Sequence, residues 1–328
     1  MNNKNILVTG GAGYVGSHIC KTLKDRGYTP VVFDNLSTGH KEFVKWGPLY
    51  VGDILSLSDL GSVFREFSIS SVIHCAAKAY VSESVSDPIK YYRENISGSI
   101  NLLETFIKYG GSYFIFSSSC AVYGNTTNIR IKENHETTPI NPYGFTKLAI
   151  EKLILDLKNI HKFNFAILRY FNAAGADIES NIGEWHEPET HVIPLMINSL
   201  KTQDVFKIFG NDYSTYDGTA IRDFVHVSDL AVAHTNSLEY LASSKQDLIC
   251  NIGSGDEISV LDLVLQMQKL YPEFQYIFER RRTGDPEYLT ADNELSKIKL
   301  KMKYKNSNIS NILKTALQWS KNKMINSN

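Results

Sequence analysis

Lys4-Asn5-Ile6-Leu7-Val8-Thr9-Gly10-Gly11-Ala12-Gly13-Tyr14-Val15-Gly16 is the stretch that decides the fold of this 328-residue chain. Its first six residues make a short apolar run suited to a buried parallel strand. Gly10, Gly13 and Gly16 follow at every third position, and Ser17 to Arg26 then reads as a helix ended by Gly27. Strand, glycine turn and helix in that order form a dinucleotide-binding unit. The first glycine makes the tight turn, the second lets backbone approach the pyrophosphate, and the third lets helix pack on strand. Free N–H groups at the helix start favour the phosphates. The next strand, Pro30-Val31-Val32-Phe33, ends in Asp34, 18 residues past Gly16. A carboxylate there binds the adenosine ribose hydroxyls and repels a 2′-phosphate, so the expected cofactor is NAD rather than NADP.

Outward from this unit, strands alternate with helices. Leu49-Tyr50-Val51 leads into Gly52-Asp53-Ile54, and Ser71 to Ala77 is another buried strand. Asp87-Pro88 caps a long amphipathic helix that runs to Gly110. Tyr113 to Phe116 enters Ser117-Ser118-Ser119, and Phe165 to Arg169 is a sixth strand. The alternation predicts an α/β fold with a Rossmann-type doubly wound parallel sheet. Ligands of such sheets bind beyond the carboxyl ends of the strands, where Asp34, Asp53, Ala76, Ala77, Ser119 and Asn172 are expected to fall. From about Gly175 the runs shorten and arginines cluster. The expected division is an NAD-binding domain over 1–175 and a smaller α/β substrate-binding domain over 176–328, with 225–242 returning to the first.

Asn141-Pro142-Tyr143-Gly144-Phe145-Thr146-Lys147 carries the candidate chemistry. Asn141 as N-cap and Pro142 as first helical residue start a helix and place Tyr143 in its first turn. Lys147, four residues on, shares a face with Tyr143. A fixed positive charge near the phenol favours the phenolate and makes the tyrosine a usable general base.

Composition sets bounds. Net charge is -1 with acids and bases interspersed, so neither nucleic acid nor an anionic membrane is an expected partner. No apolar stretch is long enough to span a bilayer, and the chain enters a strand with no room for a signal peptide. Cys20, Cys75, Cys120 and Cys250 are scattered at no zinc spacing and read as reduced cysteines of a cytoplasmic protein. His226, without ligands spaced around it, reads as structural, and no metal is expected.

Thr9-Gly10-x-x-Gly13-x-x-Gly16, Ser119 and Tyr143-x-x-x-Lys147 together resemble the extended short-chain dehydrogenase/reductase superfamily. More narrowly, the chain resembles the UDP-glucose 4-epimerases over almost its whole length. That likeness rests on Asp34-Asn35, Gly52-Asp53-Ile54, Glu83-Ser84-Val85, Val122-Tyr123-Gly124 and Arg169-Tyr170-Phe171-Asn172. It continues through Ile208-Phe209-Gly210-Asn211-Asp212-Tyr213, Asp217-Gly218-Thr219, Arg222-Asp223 and Arg280-Arg281-Arg282-Thr283-Gly284-Asp285.

The resemblance implies a mechanism. Tyr143 takes the proton of the sugar 4-hydroxyl while hydride passes from C4 to NAD, and the 4-keto sugar swings over to take the hydride back on its other face. Ser119 hydrogen-bonds the 4-oxygen and helps pass the proton, and Lys147 binds the nicotinamide ribose and, with the cationic nicotinamide ring, depresses the tyrosine pKa. The implied NAD contacts also include Gly10, Gly13, Tyr14, Val15, Gly16, Asp34, Asn35, Asp53, Ile54, Cys75, Ala76, Ala77, Asn95, Ser117 and Tyr170. The implied substrate contacts are Asn172 and a pyrophosphate clamp of Arg222 and Arg282, Asp285 on the uridine ribose, Phe209 beside uracil and His191 on the sugar. Cys120 and Ala121 stand where related 4,6-dehydratases carry an Asp-Glu pair, which disfavours dehydration. Leu289 falls at the position that gates the sugar 2-substituent; a leucine there favours glucose and leaves UDP-N-acetylglucosamine open. A UDP-pentose, a net alcohol dehydrogenase and a non-catalytic NAD-binding regulator are the other readings. A homodimer through the helices at Asp87–Tyr109 and Tyr143–His161 is also implied.

Overall fold

The computed structural model describes residues 4–126, 129–282 and 286–325. Six strands precede residue 171: β1 (Asn5–Thr9), β2 (Thr29–Asp34), β3 (Leu49–Val51), β4 (Ser71–His74), β5 (Tyr113–Ser119) and β6 (Asn164–Tyr170). Among the described residues eight more follow: β7 (Asn172–Ala174), β8 (Phe206–Phe209), β9 (Ile221–Arg222), β10 (Phe224–His226), β11 (Leu248–Ile252), β12 (Ile258–Ser259), β13 (Tyr276–Glu279) and β14 (Tyr288–Leu289). β1 to β6 and β11 form one parallel sheet in the order β11-β6-β5-β4-β1-β2-β3. The chain moves one way from β1 to β3, then returns to the opposite side of β1 at β4. That reversal opens a crevice at the carboxyl ends of β1 and β4, the usual ligand site of such sheets.

Both faces of the sheet are covered, which is why its strands read as near-continuous apolar runs. The helices Tyr14–Asp25 and Val227–Ser244 pack on each other and on one face, burying Ile19, Leu23, Leu230 and Leu238. Leu57–Phe67, Gly98–Lys108 and Pro142–Ile160 cover the other face with Leu60, Phe64, Leu103, Phe106 and Ile154. The sequence reading returned only 225–242 to the first domain. Strand β11 extends the sheet as well, paired with β6 from Leu248↔Ala166 to Ile252↔Tyr170. A separate core of Ile193, Met196, Phe206, Ile208, Leu263, Met267 and Leu313 lies in the later part of the chain. There β8 pairs with β13, and β9 lies between β12 and β14.

Local boundaries differ from expectation where caps decide them. The first helix begins at Tyr14, not Ser17, because Gly13 is extended and serves as its N-cap. β4 ends at His74, so Cys75 to Ala77 lie beyond the strand, and β5 runs on through Ser119. The Asp87 carboxylate accepts from Lys90 N and caps a helix as read, but that helix is interrupted by a π-helical turn at Tyr92–Ser97. Among the described residues no helix is long and apolar enough to cross a membrane.

Candidate active site

The glycine turn is shaped by close backbone approach. Gly10 has φ +69°, and a Cβ there would sit 2.7 Å from Ala76 N; a Cβ on Gly16 would sit 2.1 Å from Gly10 O. Gly13 caps the helix with no side chain across its end, so the first-turn N–H groups of Tyr14, Val15 and Gly16 face the crevice side of the turn. Tyr14 contributes backbone only: its hydroxyl is buried and donates to Gly175 O at 2.6 Å. Asp34 ends β2 and accepts from Ala12 N at 3.0 Å and Leu36 N at 2.8 Å, and burial raises its pKa despite those two bonds. Asn35 donates to Asp53 at 2.9 Å, which places Asp34, Asn35 and Asp53 at adjoining strand ends. This is a cradle that fits a dinucleotide: open first-turn amides, no side chain larger than that of Ala12 in the turn, and a carboxylate at the ribose end.

Five further residues of the expected NAD set have structural work beside the crevice. Ile54 is buried in the core against Gly98. Asn95 lies in the π-helical turn, fully buried, and clamps the backbone of Lys78 by accepting from its N at 2.8 Å and donating to its O at 3.0 Å. A π turn is a frequent device for aiming one side chain at a functional site. Here Asn95 fixes the segment after Ala76 and Ala77 rather than standing open to a ligand. Cys75 Sγ lies 3.2 Å from Ser117 Oγ, which in turn meets His234 Nε2 at 2.8 Å. Tyr170, paired with Ser119 across β5 and β6, brings a buried phenol to the same strand ends.

The candidate catalytic residues converge at the end of β5. Asn141 caps the helix by accepting from Gly144 N at 2.8 Å, with Pro142 in the first turn. Tyr143 is buried within hydrogen-bonding reach of the Ser119 side chain. Lys147 Nζ donates to Ser117 O at 2.8 Å and stands 4.9 Å from the Phe116 ring and 5.9 Å from that of Tyr143. The electrostatics differ from the sequence expectation. Burial pushes the Tyr143 phenol up to about 12, against a smaller downward pull from Ser119. Burial likewise lowers Lys147 to about 8, although Cys75 and Glu151 oppose it. Desolvation dominates both groups, so this pair alone does not make a phenolate.

Behind these residues lies a buried network that the sequence reading missed. Arg169 and Glu151 form an ion pair at 2.6 Å, Ser118 Oγ donates to Glu151 at 2.5 Å, and Arg169 Nη1 donates to Tyr123 Oη at 3.0 Å. Tyr123 then donates to Asn251 Oδ1 at 2.7 Å, tying β5, β6, β11 and the Tyr143 helix together. Glu151 lies one turn beyond Lys147 on that helix, which is the one signal that pointed to it.

The described residues of the expected substrate set lie on or beside later elements of the chain. Asn172 opens β7, with its N donating to Asp223 O at 3.0 Å. Arg222 pairs in register with Leu289 across β9 and β14, and Leu289 packs with Cys120, Tyr123 and Phe171 next to the catalytic strand end. Arg282 lies 3.9 Å above the Phe209 ring. Asp285 lies outside the described residues. His191 caps the helix Val192–Thr202 and is half exposed, 2.5 Å from Glu184. Burial is again the largest influence on this histidine, lowering its pKa, but Glu184 outweighs it and the net shift is upward. His226 is a buried cap that accepts from Ser228 N.

The family model described as "NAD dependent epimerase/dehydratase family" matches residues 6–253. The chain belongs to that family. Within it, the chain is 46% identical over 90% of its length, and 90% of the relative's, to a UDP-glucose 4-epimerase of Rhizobium meliloti (strain 1021). A crystal structure of UDP-glucose 4-epimerase from Brucella ovis in complex with NAD superposes with a TM-score of 0.92 at 44% identity, covering 96% of this chain and 98% of that one. The UDP-Glc/GlcNAc 4-epimerase from Campylobacter jejuni superposes with a TM-score of 0.85 at 33% identity, covering 98% and 100%.

Proposed function

We propose that this chain is an NAD-dependent 4-epimerase that interconverts UDP-glucose and UDP-galactose through a transient 4-keto sugar, with Tyr143 as base. The observation that carries the reading is the convergence of Ser119, Tyr143 and Lys147 at the end of β5, beside a turn shaped for a dinucleotide. Bound NAD supplies the acceptor for the C4 hydride and gives the hydride back. The chain supplies the rest. Gly10 to Gly16 and the first-turn amides hold the pyrophosphate, and Asp34 holds the adenosine ribose. Lys147 binds the nicotinamide ribose. Tyr143 takes the proton of the 4-hydroxyl through Ser119 and later returns it to the 4-oxygen. A phenol held near 12 is a poor base at neutral pH, so it needs more positive charge than Lys147 provides. An oxidised nicotinamide held by Lys147 beside Tyr143 would supply that charge, which would couple the base strength of Tyr143 to bound cofactor. Proton transfer is worth about 10²–10⁴-fold, and holding sugar and nicotinamide in register supplies much of the remainder.

Asn172, Arg222 and Arg282 bind the pyrophosphate, Phe209 lies against uracil, Asp285 binds the uridine ribose and His191 touches the sugar. In this reading 1–175, joined by 225–242 and strand β11, holds NAD, and the rest of 176–328 holds the sugar nucleotide. A second reading keeps the chemistry and admits N-acetylated sugars, because Leu289 is buried at the catalytic strand end without the bulk of a tyrosine. A homodimer through the helices at Asp87–Tyr109 and Tyr143–His161 accords with their outward apolar side chains: Ile89, Tyr92, Ile100, Phe145 and Leu155 are all exposed. A cytoplasmic location accords with four cysteines that form no disulfide. The test is incubation of purified protein, without added NAD, with UDP-galactose and separately UDP-N-acetylgalactosamine. Conversion of UDP-galactose to UDP-glucose supports the reading, and conversion of neither sugar, even with NAD supplied, sinks it.

A further inference from the structure

The loop before the helix Val192–Thr202 carries a cluster of which only His191 enters the proposed reaction, as a sugar contact. Glu184, His186, Glu189 and His191 each offer a donor atom within 4.8 Å of every other. Glu184 Oε1 lies 2.5 Å from His191 Nδ1 and 3.3 Å from His186 Nδ1. Glu189 Oε1 lies 3.7 Å from His191 Nδ1 and 3.8 Å from His186 Nδ1. A tetrahedral ion with bonds near 2.0–2.1 Å separates its ligand atoms by about 3.3–3.4 Å. The observed cross-distances straddle that value.

A second observation points to a ligand. His186 Nδ1 is a buried nitrogen with no hydrogen-bond partner, although two carboxylates stand before it. At 3.3 and 3.8 Å its contacts with the two carboxylates are ion-pair contacts, at a spacing that a shared cation would bridge. Glu189 Oε1 is held in place by the backbone, accepting from Thr190 N at 2.7 Å and His191 N at 2.9 Å. Metal-binding carboxylates are commonly oriented by such outer contacts. The set is also closed from behind by aromatic rings: His186 meets Tyr80 at 5.7 Å and Tyr14 at 6.3 Å, both edge-on. A cavity of about 100 Å³ lined by Glu184, His186 and Glu189 gives an ion a way in.

We infer that Glu184, His186, Glu189 and His191 form a four-coordinate site for a borderline divalent transition metal, of which Zn²⁺ is the type. Two imidazoles and two carboxylates match that class, whereas Mg²⁺ and Ca²⁺ prefer all-oxygen shells. The two carboxylates cancel the charge of the ion. The site is structural, since all four ligands come from the protein. It pins the loop to the glycine turn through the Tyr14 contact and fixes His191 at the start of the helix Val192–Thr202.

The test uses the untagged full-length enzyme, stripped with chelator, dialysed, and titrated with Co²⁺. One equivalent per chain, with the intense visible d–d bands of four-coordinate Co²⁺ and their loss on adding Zn²⁺, is the expected result. His186→Ala and Glu189→Gln, each checked for native circular dichroism, should weaken Co²⁺ at least about tenfold. Glu189→Gln changes no volume, so it keeps the test decisive if His186→Ala misfolds. Absence of those bands in the parent enzyme at millimolar Co²⁺ would overturn the assignment. So would parent-like uptake by a folded variant.

Discussion

Lys147→Met replaces a fully desolvated ammonium with an apolar chain of similar length. The parent Nζ donates to Ser117 O at 2.8 Å and faces the Phe116 ring at 4.9 Å. Burial nevertheless lowers its pKa from 10.5 to about 8. The folded value lies below the unfolded one, so between about pH 8 and 10.5 the unfolded chain binds more protons and stability rises with pH. Below pH 8 the whole penalty stands. At about 1.4 kcal/mol per unit, the penalty is on the order of 3 kcal/mol. Methionine forfeits the hydrogen bond to Ser117 O, worth about 1 kcal/mol. The variant should therefore be roughly 2 kcal/mol more stable than the parent at pH 7 and should lose most turnover, a stability–activity trade-off. Urea unfolding of both proteins, stripped of NAD, at pH 7 and pH 10 measures this. The expected gap is widest at pH 7 and closes as pH climbs towards 10.5. A variant less stable than the parent at pH 7, or a gap that ignores pH, would refute the reasoning.

Other outcomes follow from the same packing. Glu151→Gln leaves Arg169 buried without its charge partner and should cost about 3–5 kcal/mol, whereas replacing both with leucine and methionine should recover most of it; denaturant midpoints decide this. Gly16→Ala forces a Cβ to within 2.1 Å of Gly10 O and should lower both melting temperature and the NAD copurified per chain, read by absorbance after acid release. Leu289→Tyr should reduce the rate on UDP-N-acetylgalactosamine relative to UDP-galactose by about 10–200-fold, and an unchanged ratio would remove Leu289 from the specificity account. Ser119→Ala should lower kcat by about 10²-fold or more with little change in NAD content.

Much of the nucleotide half was legible because local signals there are strong and agree. The glycine spacing of Gly10, Gly13 and Gly16 and the Asn141-Pro142 cap each fix a local conformation that nothing distant overrides. β11 was not read because Leu248–Ile252 follows a long helix in a stretch whose turn-rich texture suggested a different unit, and only pairing with β6 identifies it. The π turn that carries Asn95 looks like ordinary helix in sequence, since one extra residue per turn leaves the apolar pattern almost intact. The Glu151–Arg169–Tyr123–Asn251 network and the Glu184–His191 cluster depend on where side chains meet in space. In the second case Glu-x-His-x-x-Glu-x-His is a usable signal, but its spacing matches no regular helix or strand face and only the folded loop brings the four side chains together. The direction of the Tyr143 shift was missed for a related reason: spacing reports proximity to Lys147, while burial depth comes only from the folded chain.

In the proposed reaction hydride leaves C4 and returns to the same sugar under Tyr143 within one cofactor-bound complex. An equal mixture of UDP-[4-²H]galactose and UDP-galactose bearing carbon-13 through the hexose, incubated with the enzyme and no added NAD, tests it in one measurement. The account predicts UDP-glucose in which deuterium stays on the unlabelled-carbon sugar, no NADH in solution, and no product from Tyr143→Phe. Deuterium crossing to the carbon-13 sugar, washout of deuterium to solvent, or full turnover by Tyr143→Phe would contradict it.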